Sequence, residues 1–362
     1  MNSRIYPVVL AIGAITRSSE KASRQSQQAL ASPGEGISPL QAAALATPEG
    51  SRFSAPILVA SADRLAHALS QLADVGVIPL ATVVEPADRG SALAVAAAAM
   101  AVEDPHACLL VTPADHIIDD PLALHSALET AVPLAQEGRL VSLGVSADQC
   151  SVPNGWIGLG PALATDAFEV KAWGPSFEGS RDLSEPDARL WISGAFLVRS
   201  DAFLQHLKRT RPLPYSAIEQ AMTGAKLKGG VLRPSARPYR SAEHLLIDPV
   251  VGAFEGAAVV RMNSARSDLS SWDDVYSQSM RDSNDNAFTG HVLASDVKGS
   301  LIQSFGPRVR IMGVSDVIVV ADQNEVLILR RGDDWTPDKE SRFKLPLSQH
   351  RQKSKPGRLP TR

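Results

Sequence analysis

The sequence predicts an α/β protein: a mainly parallel central sheet flanked by helices, followed by a small strand-only unit. Three observations predict this. Short apolar runs alternate with helix-period runs from residue 8 to about residue 145, the order that yields parallel strands joined by crossover helices. The run Cys108-Leu-Leu-Val111 is too short for a helix and apolar throughout, as a strand buried on both faces is. It stops at Thr112-Pro113, and Asp115, His116, Asp119 and Asp120 follow at once. Carboxylates just past the C-terminal end of a central strand lie where open α/β sheets hold ligands. From Gly290 the alternation gives way to short β-rich pieces separated by Gly, Asp and Asn turns.

Residues 8–11 form the first strand, and 16–36 are a polar, turn-rich connection. A second buried strand spans 56–60. The helix over 62–73 carries Leu65, Ala66, Leu69 and Leu72 on one face. A third strand, 78–84, ends at Glu85-Pro86. The helix over 92–102 is mostly alanine, which favours helix and permits close packing on a sheet. After the Cys108 strand, 122–136 is helical and 140–145 is a strand. Trp156-Ile157 and 168–173 read as short strands of a sheet extension, 180–189 as polar chain, and 191–198 as strand. A short helix covers 201–209, a strand 259–262, and a helix begins at 272–276. The last strands are 292–293, 301–302, 309–312, 317–320 and 326–329. The chain thus divides into an α/β unit over 1–285, a β-rich unit over 286–340 and a tail over 341–362. That tail holds Arg342, Lys344, Arg351, Lys353, Lys355, Arg358 and Arg362 with no acid, and reads as disordered.

The composition narrows the function classes. At 362 residues and 44% hydrophobic content, one large domain plus a smaller one has ample core. A net charge of −3 gives no global field that would favour nucleic acid or a membrane surface. Cys108 and Cys150 are the only cysteines. They form no C-x-x-C, which argues against a disulfide scaffold or a cysteine-ligated zinc site and fits a reducing compartment. Arg4 and the apolar stretch 6–13 faintly resemble a signal peptide, but no clear cleavage site follows and a first strand fits better. No run approaches the ~20 apolar residues of a membrane span. The expectation is a soluble, cytoplasmic protein with no nucleic-acid and no membrane partner.

Four stretches have the residue types for chemistry. Asp115 suits a hard divalent cation that also meets phosphate oxygens. A plain strand-to-helix connection, with Asp119 or Asp120 as helix cap, fits that spacing equally. Ala11-Ile-Gly-Ala-Ile-Thr-Arg17 follows the first strand, where backbone N–H groups cradle phosphate in glycine-rich loops, yet Gly13 is its only glycine. An ordinary loop explains it better, and Ser18-Ser-Glu-Lys21 is a chance match to S-x-x-K. Glu85-Pro-Ala-Asp-Arg-Gly-Ser91 joins a strand end to the alanine-rich helix. Ser91 reads first as its cap, and the exposed N–H groups with Arg89 also suit a nucleotide. Asp268-Leu-Ser-Ser-Trp-Asp-Asp274 places a second carboxylate before an aromatic residue, either as a helix cap or as a second metal ligand.

Taken in order, these pieces carry a resemblance. Val8-Val-Leu-Ala11, Thr16-Arg17, Glu85-Pro86 with Arg89, Pro113-Ala-Asp-His116 and Leu143-Gly-Val145 are joined by Trp191 with Ser193-Gly194, Ile247-Asp248, and Asp268 with Ser271-Trp272-Asp273. The set resembles the sugar-1-phosphate nucleotidyltransferases, in their bacterial mannose-1-phosphate guanylyltransferase branch, from about residue 5 to 330. Gly290-His-Val-Leu-Ala294 and 314–320 look like that family's small C-terminal β-helix. The resemblance implies a Rossmann-like nucleotide-diphospho-sugar transferase fold, with a small β-helix-like domain. It implies that the phosphate of mannose 1-phosphate attacks the α-phosphorus of GTP, with pyrophosphate leaving. Such chemistry needs positioning and charge neutralisation more than acid–base work. By the same resemblance Gly13, Thr16, Arg17, Arg89, Ser91 and Asp115 would meet the nucleotide, with Arg17 and Asp115 catalytic. Asp115 and Asp268 would hold Mg²⁺, and Gly155, Ser193, Gly194 and Asp248 would face the sugar phosphate. The implied assembly is a homodimer or a pair with an intact homologue. The isomerase domain fused to some relatives has no room in this length.

Ligand-facing positions depart from the family pattern. Ile12 and Ile15 replace two glycines of the signature loop G-G-x-G-T-R. Gln28 stands where P-K-Q has its lysine, with Arg24 the nearest cation. Asp88-Arg-Gly-Ser-Ala-Leu93 replaces G-R-N-T-A-P, and Pro153-Asn-Gly-Trp-Ile157 replaces G-Y-G-Y-I. Trp173 and Gly174 take the acid and base positions of V-E-K-P, Ile192 the asparagine of W-N-S-G, and Ala253 the glutamate of I-D-Y-A-V-M-E. The strands keep their apolar character. A working or impaired guanylyltransferase and a non-catalytic nucleotide-sugar-binding or regulatory homologue both fit this pattern.

Overall fold

The computed structural model describes residues 4–12, 38–114, 116–118, 120–146, 155–175, 188–263, 266–268, 272–279, 281–321 and 326–332. The stretches 16–36, 180–187 and 341–362, read above as turn-rich, polar and tail, lie outside them. In chain order the elements begin with β1 (Ile5–Ala11), α1 (Pro39–Leu45), β2 (Ile57–Ser61), α2 (Leu65–Asp74), β3 (Ala81–Glu85), α3 (Ser91–Ala101), β4 (Cys108–Pro113), β5 (His116–Ile118) and α4 (Pro121–Gln136). They continue through β6 (Val141–Val145), β7 (Gly155–Ala164), β8 (Ala167–Pro175), β9 (Arg189–Arg199), α5 (Ser200–Thr210), α6 (Pro212–Thr223), β10 (Lys226–Lys228), β11 (Val231–Arg233), α7 (Ala236–Ser241) and α8 (Ile247–Gly252). Then come β12 (Ala258–Arg261), β13 (Arg266–Asp268) and α9 (Trp272–Gln278).

Eleven of these strands make one sheet, in the order β10-β11-β3-β2-β1-β4-β9-β6-β12-β8-β7. The β3-β2-β1-β4 run is parallel, with Val8 opposite both Ile57 and Val111. Side chains alternate across a strand, so one strand feeds two cores. Val8 and Leu10 of β1 enter a cluster with α3, α5, α6 and α7, whereas Val9 and Ala11 pack with α1 and α2 on the other face. Farther along that second face, α4 covers β4, β6, β9 and β12 through Leu124, Leu128 and Ala131. The helices therefore cover both faces, as the alternation required.

Three expectations about the main sheet are corrected. The sheet is mixed rather than mainly parallel, because β9 runs antiparallel between β4 and β6 and the β7–β8 hairpin extends the far edge antiparallel. Only two residues separate β7 from β8, a connection that suits antiparallel neighbours. The third strand begins at Ala81, and Ile78 lies outside it, 81% exposed. Trp156 and Ile157 do lie in an extension of the sheet, but their strand, β7, is ten residues long rather than short. Short elements went unread as well: α1, α6, α7, α8, β5, β10, β11 and β13.

The last part holds β14 (Ala287–Lys298), β15 (Leu301–Ser315), β16 (Val317–Ala321) and β17 (Val326–Arg330). The pieces 301–302 and 309–312 belong to one long strand, and a register shift between Gly290 and Val292 marks its irregular pairing with β14. β14 and β15 pair in parallel although only two residues separate them, Ala287 opposite Leu301 and Lys298 opposite Ser315. β15 and β16 are parallel too, and β17 returns antiparallel. Trp272, Val275 and Tyr276 of α9 pack on Ala287, Leu301, Ile318 and Val320 of this sheet. Among the described residues, no helix is long and apolar enough to cross a membrane.

Candidate functional site

Parallel strands end on one edge, and here that edge is formed by Ala11, Ser61, Glu85 and Pro113. The turn after β3 leads into α3. Gly90, not Ser91, is the residue before that helix, at φ +84. A Cβ there would stand 2.3 Å from the Leu245 carbonyl oxygen, so both conformation and space require glycine. Ser91 is already helical, and its Oγ accepts from the Ile247 N–H at 3.0 Å. The cap expected of Ser91 is thus corrected: the hydroxyl ties α3 to the start of α8.

Further bonds make a clasp between 85–92 and 239–247. The Arg89 guanidinium donates to the Arg240 carbonyl at 3.0 and 2.7 Å. The Leu245 N–H donates to the Arg89 carbonyl at 2.9 Å, and the Ala92 N–H to the Leu245 carbonyl at 3.1 Å. His244 Nε2 lies 3.6 Å from Asp88 Oδ1. At the base of the clasp the Tyr239 hydroxyl donates to Glu85, both residues being buried. Burial pushes the Glu85 carboxyl up to about 8, against the hydrogen bond from Tyr239, which lowers it, and with nearby Asp88 raising it further. Tyr239 is raised well above 10, first by its own burial and then by Glu85. The sequence reading named neither partner as a pair. Glu85 was legible as an acid ending a buried strand, whereas Tyr239 lies 154 positions away.

The acids come next. Gly13, Thr16 and Arg17 of the signature loop and Asp115 lie outside the described residues, as does Asp119. Asp120 caps α4, accepting from the Leu122 N–H at 2.8 Å. Asp268 ends β13, which pairs antiparallel with β5, and the register sets Asp268 opposite His116. Two stretches about 150 positions apart in sequence therefore meet in one short ladder, with residue 268 across from the chain neighbour of 115. Among the described residues, no cluster of three or more His, Cys, Asp or Glu side chains forms a metal site.

On the other side of β4, Ser193 is buried in β9 and its Oγ accepts from the Ala195 N–H at 3.2 Å, with Gly194 at φ +85. Asp248 is exposed in the first turn of α8. Gly155 opens β7, and a Cβ there would meet the Gly174 carbonyl oxygen and Ile192 Cδ1, each at 2.7 Å. Trp156 stands directly opposite Gly174, and a Cβ at Gly174 would lie 2.5 Å from the Trp156 ring. Trp173 packs instead on Gly252 and on the core. Glu255, the acid nearest Ala253, is exposed and paired with Arg209 at 2.9 Å. A separate cleft of about 330 Å³, between Met100, Leu204 and Tyr215, lies at the far end of α3 from the clasp and is not part of this site.

Comparison with known proteins supplies the context. A family model described as nucleotidyl transferase matches residues 6–283. A mannose-1-phosphate guanylyltransferase of Sinorhizobium fredii is 30% identical over 284 residues, covering 77% of this chain and 56% of that protein. The xanthan biosynthesis protein XanB of Xanthomonas campestris (strain B100) is 30% identical over 283 residues, 76% of this chain and 60% of that one. The chain thus spans under two thirds of the length of these relatives. Among solved structures, mannose-1-phosphate geranyltransferase from Thermus thermophilus superposes with a TM-score of 0.70 at 24% identity, over 90% of this chain and 95% of that one. This last likeness is one of fold.

Proposed function

The chain belongs to the nucleotidyl transferase family, and on that premise we propose that it transfers a nucleotidyl group from a nucleoside triphosphate to a sugar 1-phosphate, with GTP and mannose 1-phosphate as the pair. The ladder that sets Asp268 opposite His116 supports this reading, because it brings residue 268 to the stretch that follows β4. Asp115 and Asp268 would hold Mg²⁺, which when bound supplies positive charge against the phosphate oxygens. The chain's own task is to place the sugar phosphate in line with the α-phosphorus and to neutralise charge as pyrophosphate leaves. Arg17 serves the triphosphate, and turn 86–90, fixed by its clasp, walls the nucleoside. The bond from the Ile247 N–H to Ser91 ties the nucleoside wall to the helix bearing Asp248. The reading gives this task to 1–285, treats 286–340 as a β-helix-like appendage and 341–362 as a basic tail, and places the protein in the cytoplasm as a homodimer or paired with a homologue.

The test is formation of GDP-mannose from GTP and mannose 1-phosphate, followed by chromatography, with and without Mg²⁺. Asp115→Asn and Asp268→Asn should each remove product formation while the melting temperature stays near that of the parent. Undiminished formation in either variant would contradict the roles given to these acids.

A further inference from the structure

Four arginines among the described residues lie over aromatic rings, and Arg189 is the one without a carboxylate partner. Arg52, Arg281 and Arg331 pair with Glu129 at 3.8 Å, Asp285 at 3.9 Å and Asp316 at 2.7 Å. Arg189 rests half-buried with its guanidinium carbon 4.6 Å from the centre of the Trp156 ring. A guanidinium shelved on an indole has a fixed plane, is weakly hydrated, and keeps its fork of N–H donors for a planar or tetrahedral oxyanion.

Its position says which anion. Arg189 stands opposite Gly158, and Trp156 stands opposite both Trp191 and Gly174. Cross-strand partners and alternate residues share a face, so Arg189, Trp156 and position 174 lie on one side of the sheet. Along the same two strands, Gly155 precedes Trp156 in β7, and Ser193 and Gly194 follow Trp191 in β9; these are the sugar-phosphate candidates. Position 174 is where the resemblance puts a basic side chain, and a Cβ there would stand 2.5–2.6 Å from the Trp156 ring, so with the ring in place only glycine fits. We propose that Arg189, laid on Trp156, binds the phosphate of the sugar 1-phosphate and so supplies the charge that position 174 does not carry. The assignment rests on the sugar-phosphate reading above and makes Arg189 a specificity determinant for the phosphorylated sugar.

Calorimetric titration of the full chain with mannose 1-phosphate and, separately, with mannose tests it. Loss of a charge-assisted bond to phosphate should weaken mannose 1-phosphate binding about ten- to a hundredfold in Arg189→Met. Arg189→Lys, which keeps the charge but loses the fork, should lose less. Trp156→Phe, which keeps a shelf, should stay within about threefold, and affinity for mannose should not move in any of them. A melting temperature measured on each variant separates binding from folding, and the milder Arg189→Lys and Trp156→Phe remain informative if Arg189→Met is unstable. Unchanged mannose 1-phosphate affinity in Arg189→Met, or equal losses for sugar and sugar phosphate, would overturn the assignment while leaving the proposed function standing. A parent protein that binds mannose 1-phosphate no better than mannose would overturn both.

Discussion

Glu85 ends β3 with its carboxyl buried against Tyr239, and burial there makes stability depend on pH. Its value rises from 4.5 to about 8 on folding, with burial the largest cause. Between those values the folded chain holds a proton that the unfolded chain has released. The contribution of Glu85 is therefore most favourable below about pH 4.5, falls as pH rises, and levels off above about 8. One group can contribute at most about 1.4 kcal/mol per pH unit. Urea unfolding at several pH values from 5.5 to 8.5 should show declining stability in the parent and a flatter profile in Glu85→Gln. Identical slopes would contradict the buried, protonated state. Tyr239→Phe, which leaves the carboxyl without its partner, should cost about 1–3 kcal/mol. Gly174 gives a second prediction at this scale. Gly174→Ala should cost about 1–3 kcal/mol by driving a methyl into the Trp156 ring. Trp156→Ala in the same chain should relieve it, giving a coupling of at least about 0.5 kcal/mol in a double-mutant cycle. Additive losses would show that the two positions do not compete for space. The sequence showed Gly174 as a departure from the family pattern. Its reason, a tryptophan directly across the hairpin, depends on the β7–β8 register and could not be read along the chain.

At the scale of elements, α3 shows what a mostly alanine helix is for. Residues 92–99 are all buried, between the sheet and the pair α5 and α6. No face is left for a larger side chain, so Ala97→Leu should lower unfolding free energy by about 1–3 kcal/mol, read by denaturant titration. An unchanged midpoint would mean that the layer is looser than its burial indicates. This helix was legible because alanine count and strand spacing both pointed to it. The short helix α1 was not, although its signal is local: Ser38, Pro39 and Gln41 form a capping box, with Ser38 Oγ accepting from the Gln41 N–H and Gln41 Oε1 from the Ser38 N–H. α7 and α8 gave no periodic signal over six residues each. They are held by the clasp, by contacts to residues more than 150 positions earlier.

For the whole molecule, the alternation of strand and helix predicted the layers, and the ordered motifs predicted the family. The mixed sheet was missed because β9 inserts between β4 and β6, a pairing that hydrophobic pattern does not encode. If the proposed function holds, the signature loop should bear most on rate. Loss of one well-placed phosphate donor typically costs ~10²–10³ in rate, and losses within one site do not multiply. Ile12→Gly, Ile15→Gly and Gln28→Lys together should raise turnover. They should also lower stability, since the Ile12 side chain packs against the main core. The most direct test of the account is pyrophosphate release by the unmodified chain with a panel of nucleoside triphosphates and sugar 1-phosphates, with and without Mg²⁺. The account predicts slow release that needs both substrates and Mg²⁺, greatest with GTP and mannose 1-phosphate, and faster in the triple variant. Release with no pair of substrates, in the unmodified chain and the triple variant alike, would contradict it.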